Sequence, residues 1–175
     1  MKKQNLKLSN LLSEIINEVG DLTNISNYNY ELNNNGGIFN FTYNQQEYKC
    51  VVEFTEVPVD LNTSFSLPPV INHLNKKIVS IGFSIEGTDE QYIKTDQNTL
   101  LKILKTVTSI IKDCIKRYSD DTIFVIFATS KIGMGFNDSQ KMGLYKLILQ
   151  QNLPTGYRMG EGNLNQNDLI FLTKK

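Results

Sequence analysis

Thr122 to Thr129 reads Thr-Ile-Phe-Val-Ile-Phe-Ala-Thr, and Ile123 to Ala128 is the longest purely apolar run in this 175-residue chain. A strand that is apolar at every position cannot turn one face to water, so the run predicts a central strand buried on both sides of a sheet. The rest of the chain must therefore supply two layers of cover. One is evident just upstream. Leu100, Ile103, Leu104, Val107, Ile110, Ile111, Cys114, Ile115 and Tyr118 keep the helical register, which predicts a long helix capped by Thr95 or Asp96 and running to about Tyr118. Before it, Lys77 to Glu86 alternates Val79, Ile81, Phe83 and Ile85 with Ser80, Gly82 and Ser84, the period of a strand. Gly87-Thr88-Asp89-Glu90 turns that strand into a short one at Gln91 to Lys94. Strand, helix, strand in this order predicts a right-handed crossover unit.

The remaining elements follow from turn chemistry. Asn29 to Asn33 and Ile38 to Tyr43 flank Asn34-Asn35-Gly36-Gly37, residue types that tolerate positive φ, and form a predicted hairpin. Gln45-Gln46 turns the chain into Tyr48 to Val57, which Pro58 ends. After the central strand, a loop at Ser130 to Asp138 leads to a helix from about Ser139 to Gln151. Tyr157-Arg158-Met159 is a strand, Gly160-Glu161-Gly162 through Asn167 a polar turn, and Leu169 to Thr173 the final strand. At the amino end, Leu8, Leu11, Leu12, Ile15, Ile16 and Val19 form an apolar helical stripe stopped by Gly20. A helix this short needs a surface to pack on, its own body or another subunit. The fold class is α+β. A mixed, mostly antiparallel sheet is flanked by the long helix and a second C-terminal helix, with an amphipathic helix at 1–20 preceding one domain at 21–175.

Pro58 to Lys77 fits no regular element. It contains Pro58, Pro68 and Pro69 but also Leu61, Phe65, Leu67, Val70, Ile71 and Leu74. A loop of this length inside a compact domain is unusual. Two readings stay open: a loop folded over the sheet, or a projecting arm whose apolar residues bury against a partner.

Composition narrows the function classes. Lys plus Arg and Asp plus Glu are both 18, so the net charge is zero, and a nucleic-acid binder working through bulk electrostatics is disfavoured. A hydrophobic share of 40% with 21% charged residues excludes intrinsic disorder. No apolar run approaches the roughly 20 residues of a membrane-spanning helix. Met1-Lys2-Lys3-Gln4-Asn5 is followed by a mixed polar and apolar stretch instead of a signal-type apolar core, and Cys50 and Cys114 read as buried thiols. A reducing cytoplasm is the expected folding compartment. Only Arg117 and Arg158 accompany 16 lysines, and Asn reaches 20, the usage of an A/T-rich coding sequence in a low-GC microbe or one of its phages.

Candidate chemistry is sparse. His73 is the single histidine and has no nucleophile signature near it, which disfavours Ser/His/Asp or Cys/His catalysis and a two-histidine metal site. Asp120-Asp121, Asp89-Glu90 and Glu161 all fall in predicted turns at spacings unsuited to paired acid and base work. Gly133-Met134-Gly135 follows the central strand, yet Asp138 stands where G-x-G-x-x-G needs its last glycine. Lys102, Lys105, Lys112 and Lys116 lie on one stripe of the long helix with no aromatic interleaved, the pattern of a solvated face. No residue is assigned a catalytic, cofactor-binding or metal-ligating role.

From Tyr92 to Met159 the chain resembles a recurring module of tailed-phage proteins. The module consists of a short strand, a long helix of the type LLKILKTVTSIIKDCIKRY, a strand of the type DTIFVIFATS, a helix containing LYKLI, and re-entry into the sheet at a Gly-Tyr pair, here Gly156-Tyr157. The same order is similar to the GNAT acetyltransferase fold, with Tyr145 in Gly143-Leu144-Tyr145-Lys146 as the tyrosine of the helix before the closing strands. Acetyltransferases open their long helix with [RQ]-x-x-G-x-[GA], whose amides hold the cofactor pyrophosphate. This chain has Thr95-Asp96-Gln97-Asn98-Thr99-Leu100 there. The resemblance, taken with the Asn- and Lys-rich composition, implies a non-enzymatic neck or tail ring protein of the crAss-like phage type. Such a protein is assembled in the host cytoplasm into the virion through contacts with its own copies and other virion proteins. It needs no cofactor, membrane or nucleic acid. The expected partner-contact residues are Leu11, Ile15, Leu61, Phe65, Leu67, Val70, Ile71 and Leu74. Two alternatives are an acyl-CoA-dependent acyltransferase using Tyr145 as acid, and a small phage protein that binds one host target.

Overall fold

The computed structural model describes residues 25–69, 71–86, 95–127, 138–164 and 167–175. The amino-terminal helix with Leu11 and Ile15, Val70, the strand expected at Gln91–Lys94 and the Gly133-Met134-Gly135 loop lie outside the described residues. Eight strands form one sheet: β1 (Tyr30–Asn33), β2 (Gly36–Tyr43), β3 (Gln46–Val57), β4 (Phe65–Ser66), β5 (Ile78–Glu86), β6 (Ile123–Phe127), β7 (Tyr157–Leu164) and β8 (Asn167–Lys174). The described helices are α1 (Gln97–Ile115) and α2 (Asp138–Gln151), with a 3-10 helix at Val59–Ser64. The sheet order is β1-β2-β3-β5-β6-β8-β7-β4, antiparallel throughout except for the parallel pair β5–β6 on either side of α1.

The apolar run at 123–127 does what its composition demands. Phe124 and Ile126 join the larger core beneath α1 and α2, whereas Ile123 and Val125 point into a second core on the opposite face. β8 repeats the pattern, with Ile170 and Leu172 toward the helices and Leu169 and Phe171 away from them. The cover for the second face is the segment 58–77, which lies across it as a strap: Phe65, Leu67 and Ile71 are 6–9% exposed within that core. Of the two readings the sequence left open, the loop folded over the sheet is the one adopted. The projecting arm is thereby overturned for Phe65, Leu67 and Ile71, which the chain's own core consumes.

The strap is held by polar bonds as well. Asn62, 1% exposed, donates from Nδ2 toward the carbonyls of His73 (3.0 Å), Leu74 (3.2 Å) and Lys76 (2.9 Å). Phe65 and Ser66 add an edge strand to β7 opposite Leu164 and Asn163. His73 lies with Nδ1 3.1 Å from the carbonyl oxygen of Ile71 and Nε2 3.1 Å from that of Phe65 in β4, and whichever nitrogen carries the proton donates to its carbonyl.

Four details depart from the sequence reading. β7 runs to Leu164, through the glycines expected to form a turn. Those glycines serve close approach: a Cβ on Gly160 would lie 2.3 Å from the Phe171 ring, and one on Gly162 would lie 2.5 Å from Leu67 of the strap. The β2–β3 turn is Asn44-Gln45, one residue earlier than expected, with φ of 49° and 63° and Tyr43 paired to Gln46. Positive φ at both central residues is the type I′ signature, whose twist matches that of the flanking strands. In the first hairpin Gly36 (φ 148°) carries the unusual conformation, while Asn34 and Asn35 keep negative φ. A Cβ at Gly36 would lie 1.9 Å from the Val52 carbonyl oxygen. Finally, α1 ends at Ile115, and Tyr118 instead stacks on Phe54 (5.8 Å between centroids) and meets Phe124 edge-on.

Replacing Asn62 tests the tether. Asn62→Ala should cost about 1–3 kcal/mol in urea unfolding, because it leaves the partly buried Leu74 and Lys76 carbonyls without the Asn62 amide, whereas the His73 carbonyl keeps the Lys76 amide. Asn62→Asp should cost more, since a carboxylate would face three carbonyl oxygens. Equal urea midpoints for all three proteins would refute the role given to this amide.

Candidate functional site

The amino end of α1 is where the sequence weighed an anion site. Asp96 is its N-cap: Oδ1 accepts from the Thr99 amide at 2.9 Å and Oδ2 from the Thr99 hydroxyl at 2.7 Å. These bonds, the Thr99 amide first, hold the Asp96 carboxyl below its usual range although burial opposes the shift. A side chain of the right length for a cap thus turns a negative charge onto the helix dipole from within the chain. Next to it, Thr95 is buried, and its hydroxyl has no hydrogen-bond partner among the described residues.

Tyr145, the tyrosine singled out by resemblance, is 6% exposed and meets Phe83 in a T-shaped contact at 5.4 Å. It borders an apolar cavity of about 20 Å³ between α1, α2 and the sheet, walled by Ile81, Leu104, Val107 and Ile126. A space of that size holds about one water. Tyr145 therefore packs as a core aromatic.

The lysine stripe of α1 has an occupant that the sequence did not reveal. Residues 25–30 lie along the helix. The Tyr28 amide donates to Thr106 Oγ1 (3.0 Å), Asn27 Nδ2 to Ser109 Oγ (2.9 Å), and the Tyr30 hydroxyl to Asp113 Oδ2 (2.8 Å). Lys105 donates to the Ile25 carbonyl, and Lys102 sits 4.2 Å from the centroid of the Tyr28 ring. Burial first, then the bond to Asp113, pushes the Tyr30 phenol up to about 12. Lys116 and Tyr30 together hold the Asp113 carboxyl below its usual range. Lys102, Lys105 and Lys116 of the stripe are engaged by the chain itself, with an aromatic contributed from 74 positions upstream of Lys102. No spacing rule within the helix could have shown that.

The carboxylates of the turns are in surface ion pairs: Asp120 with Lys174 (2.5 Å), Asp121 with Lys76 (3.8 Å) and Glu161 with Lys146. Asp89-Glu90 lie outside the described residues. Among the described residues no cluster of three or more His, Cys, Asp or Glu could hold a metal ion. Cys50 is fully buried, which pushes its thiol up to about 12, and Cys114 donates from Sγ to the Gly36 carbonyl at 3.5 Å. Both thiols are packing groups.

Of the residues expected to contact partners, Leu61 and Leu74 are each 48% exposed, and the neighbouring Val59 is 63% exposed. Leu61 adjoins Asn62, which holds the Leu74 carbonyl, so the two leucines flank one tether on the outside of the strap. Among the described residues no helix is long and apolar enough to cross a membrane. No protein family, curated protein or solved structure matches the chain.

The cap gives a pH-dependent prediction. Asp96→Ala should cost about 1 kcal/mol of stability at neutral pH, and Asp96→Asn much less. Because the folded-state pKa of Asp96 lies below the unfolded value of 3.8, its stabilisation is present above that value and lost as pH falls through the folded pKa. The gap between wild type and Asp96→Ala should therefore close in urea titrations below pH 3.8.

Proposed function

We propose that this chain is a non-enzymatic structural subunit of a tailed-phage particle, of the neck or tail ring type, which assembles with its own copies and with other virion proteins in the host cytoplasm. The carrying observation is the head of α1. In the acetyltransferases that the order of elements resembles, backbone amides at this place receive the cofactor pyrophosphate. Here the chain's own carboxylate accepts the Thr99 amide and hydroxyl. A pyrophosphate would have to displace that bond and approach a like charge. The burial of Tyr145 against Phe83 agrees, since a proton donor must reach its substrate.

The strand order favours a GNAT-like ancestry for this subunit. Three antiparallel strands lead into β5, the parallel pair β5–β6 encloses α1, and β8 enters between β6 and β7 after α2. That arrangement also supports an acyl-CoA-dependent acyltransferase as the second reading. The assembly reading draws on Val59, Leu61 and Leu74, apolar side chains left exposed on a strap that is otherwise committed to the core. Ring contacts are heterologous, so this patch would meet a different surface on the next subunit.

Three measurements test the proposal. Substituting Leu61→Glu together with Leu74→Glu should leave folding stability within about 1 kcal/mol, as is usual for exposed positions, while preventing assembly in size-exclusion chromatography and electron microscopy. Unimpaired rings from the double variant would remove the patch from the interface. Titration with CoA should leave the melting temperature unchanged. Stabilisation approaching about 2.7 kcal/mol at a hundredfold excess over Kd would establish the acyltransferase instead. Mass spectrometry of purified particles should find the chain, and its absence would sink the virion assignment.

A further inference from the structure

Arg158 stands out against the composition of the chain. With 16 lysines and two arginines, positions that need only a positive charge are filled by lysine. Arg117, the other arginine, donates from Nη1 to the Asn33 carbonyl at 2.6 Å. Arg158 is held at one atom only: Nε lies 3.5 Å from Thr173 Oγ1, and that hydroxyl in turn donates to the Lys174 carbonyl at 2.9 Å. Its two terminal nitrogens, the fork that distinguishes arginine from lysine, have no acceptor among the described residues.

Arg158 lines a cavity of about 160 Å³ at the pole of the sheet where β5, β6 and β7 begin and β8 ends. Lys76 and Lys174 contribute two further cations, and the strap closes one side through Ile71 and Asn72. Two carboxylates line the same space. Asp121 pairs with Lys76, and Asp120 pairs with Lys174. Both pairs are self-neutralising, so the unbalanced charge is the single positive charge of Arg158. The pole lies at the opposite end of β5 and β6 from the amino end of α1.

We propose that this cavity is a binding site for one carboxylate group, engaged by the Arg158 fork and flanked by Lys76 and Lys174. Three features select that chemistry. A planar carboxylate matches the guanidinium fork with two parallel hydrogen bonds. One negative charge balances the site, whereas a phosphate dianion would leave excess charge facing Asp120 and Asp121. The volume is below the roughly 300–1,000 Å³ of sites for drug-sized ligands, and it suits a carboxylate with a short carbon stem. The carboxylate can come free in solution, or on an aspartate or glutamate side chain of a protein neighbour.

The test is a titration of isotope-labelled protein at constant ionic strength, following the amides of Thr122, Thr173 and Lys174 by NMR. The probes are sodium acetate and an N-acetylated, C-amidated peptide carrying a single aspartate, with sodium chloride as reference. Saturable shifts with either carboxylate, absent with chloride, are the expected result. Tighter binding of acetate identifies a free ligand, and tighter binding of the peptide a protein-borne one. Arg158 is exposed, so Arg158→Gln should fold normally and weaken binding roughly tenfold or more, the size of one lost charge-assisted bond. Arg158→Lys should also weaken it, because charge without the fork is insufficient. Asp121→Asn should tighten it by freeing Lys76. Shifts that match those of chloride, or that persist unchanged in Arg158→Gln or Arg158→Lys, would overturn the assignment.

Discussion

Everything in this fold answers to a strand that cannot face water on either side. β6 is apolar at five consecutive positions, and each face would cost several kcal/mol if left wet, at about 1.5–3 kcal/mol per large side chain. The helices cover one face through a long amphipathic surface whose pattern is obvious. Among the described residues the other face carries no α-helix. It is closed by a segment with little regular structure, fastened by Asn62, by the His73 ring and by a two-residue strand. Irregular backbone leaves carbonyls without partners, so a buried cover of this kind needs side-chain donors in a way that a helix does not. Asn62 supplies them to three carbonyls at once.

How much of this was written in local sequence depends on the range of the interaction. The central strand, α1, β5 and the hairpin at 30–43 were legible because periodicity and turn chemistry act within a few residues. The strap was legible as an anomaly, too apolar for a loop and too rich in proline for a helix, but its destination was not. Its contacts with β7 and β8 join residues about a hundred positions apart. Gly160 and Gly162 were misread for the same reason. Glycine in a local window suggests a turn, whereas here its missing side chain admits Phe171 and Leu67 from elsewhere. Likewise the lysines of α1 read as a solvated face because their aromatic neighbour, Tyr28, comes from another part of the chain.

For the candidate site the most local signal carried furthest. An aspartate three residues before a threonine at a helix start is a cap by spacing alone, and Asp96 makes both bonds that the spacing allows. That carboxylate fills the head of α1 from within the chain, a local feature that the order of strands and helices does not dictate, since fold and chemistry are carried by different residues. The apolar residues expected to meet partners divide by burial. Phe65, Leu67 and Ile71 serve the chain's own second core, and Leu61 and Leu74 remain on the outside. Hydrophobicity reports that a side chain seeks cover, and only the tertiary arrangement decides which surface provides it.

The position of β8 has a consequence for how the chain comes into being. It lies between β6 and β7, so the last of the described strands is an interior member of the sheet, and β7 and β4 join the sheet through it. On the ribosome, β1, β2, β3 and β5 can zip into a meander as they emerge, but the strap must wait with Phe65, Leu67 and Ile71 uncovered until β6 and β8 have been made. Synthesis therefore passes through a late nascent stage that is sticky on one side, and arrival of the closing hairpin is the step that ends its exposure to chaperones and to other unfinished copies.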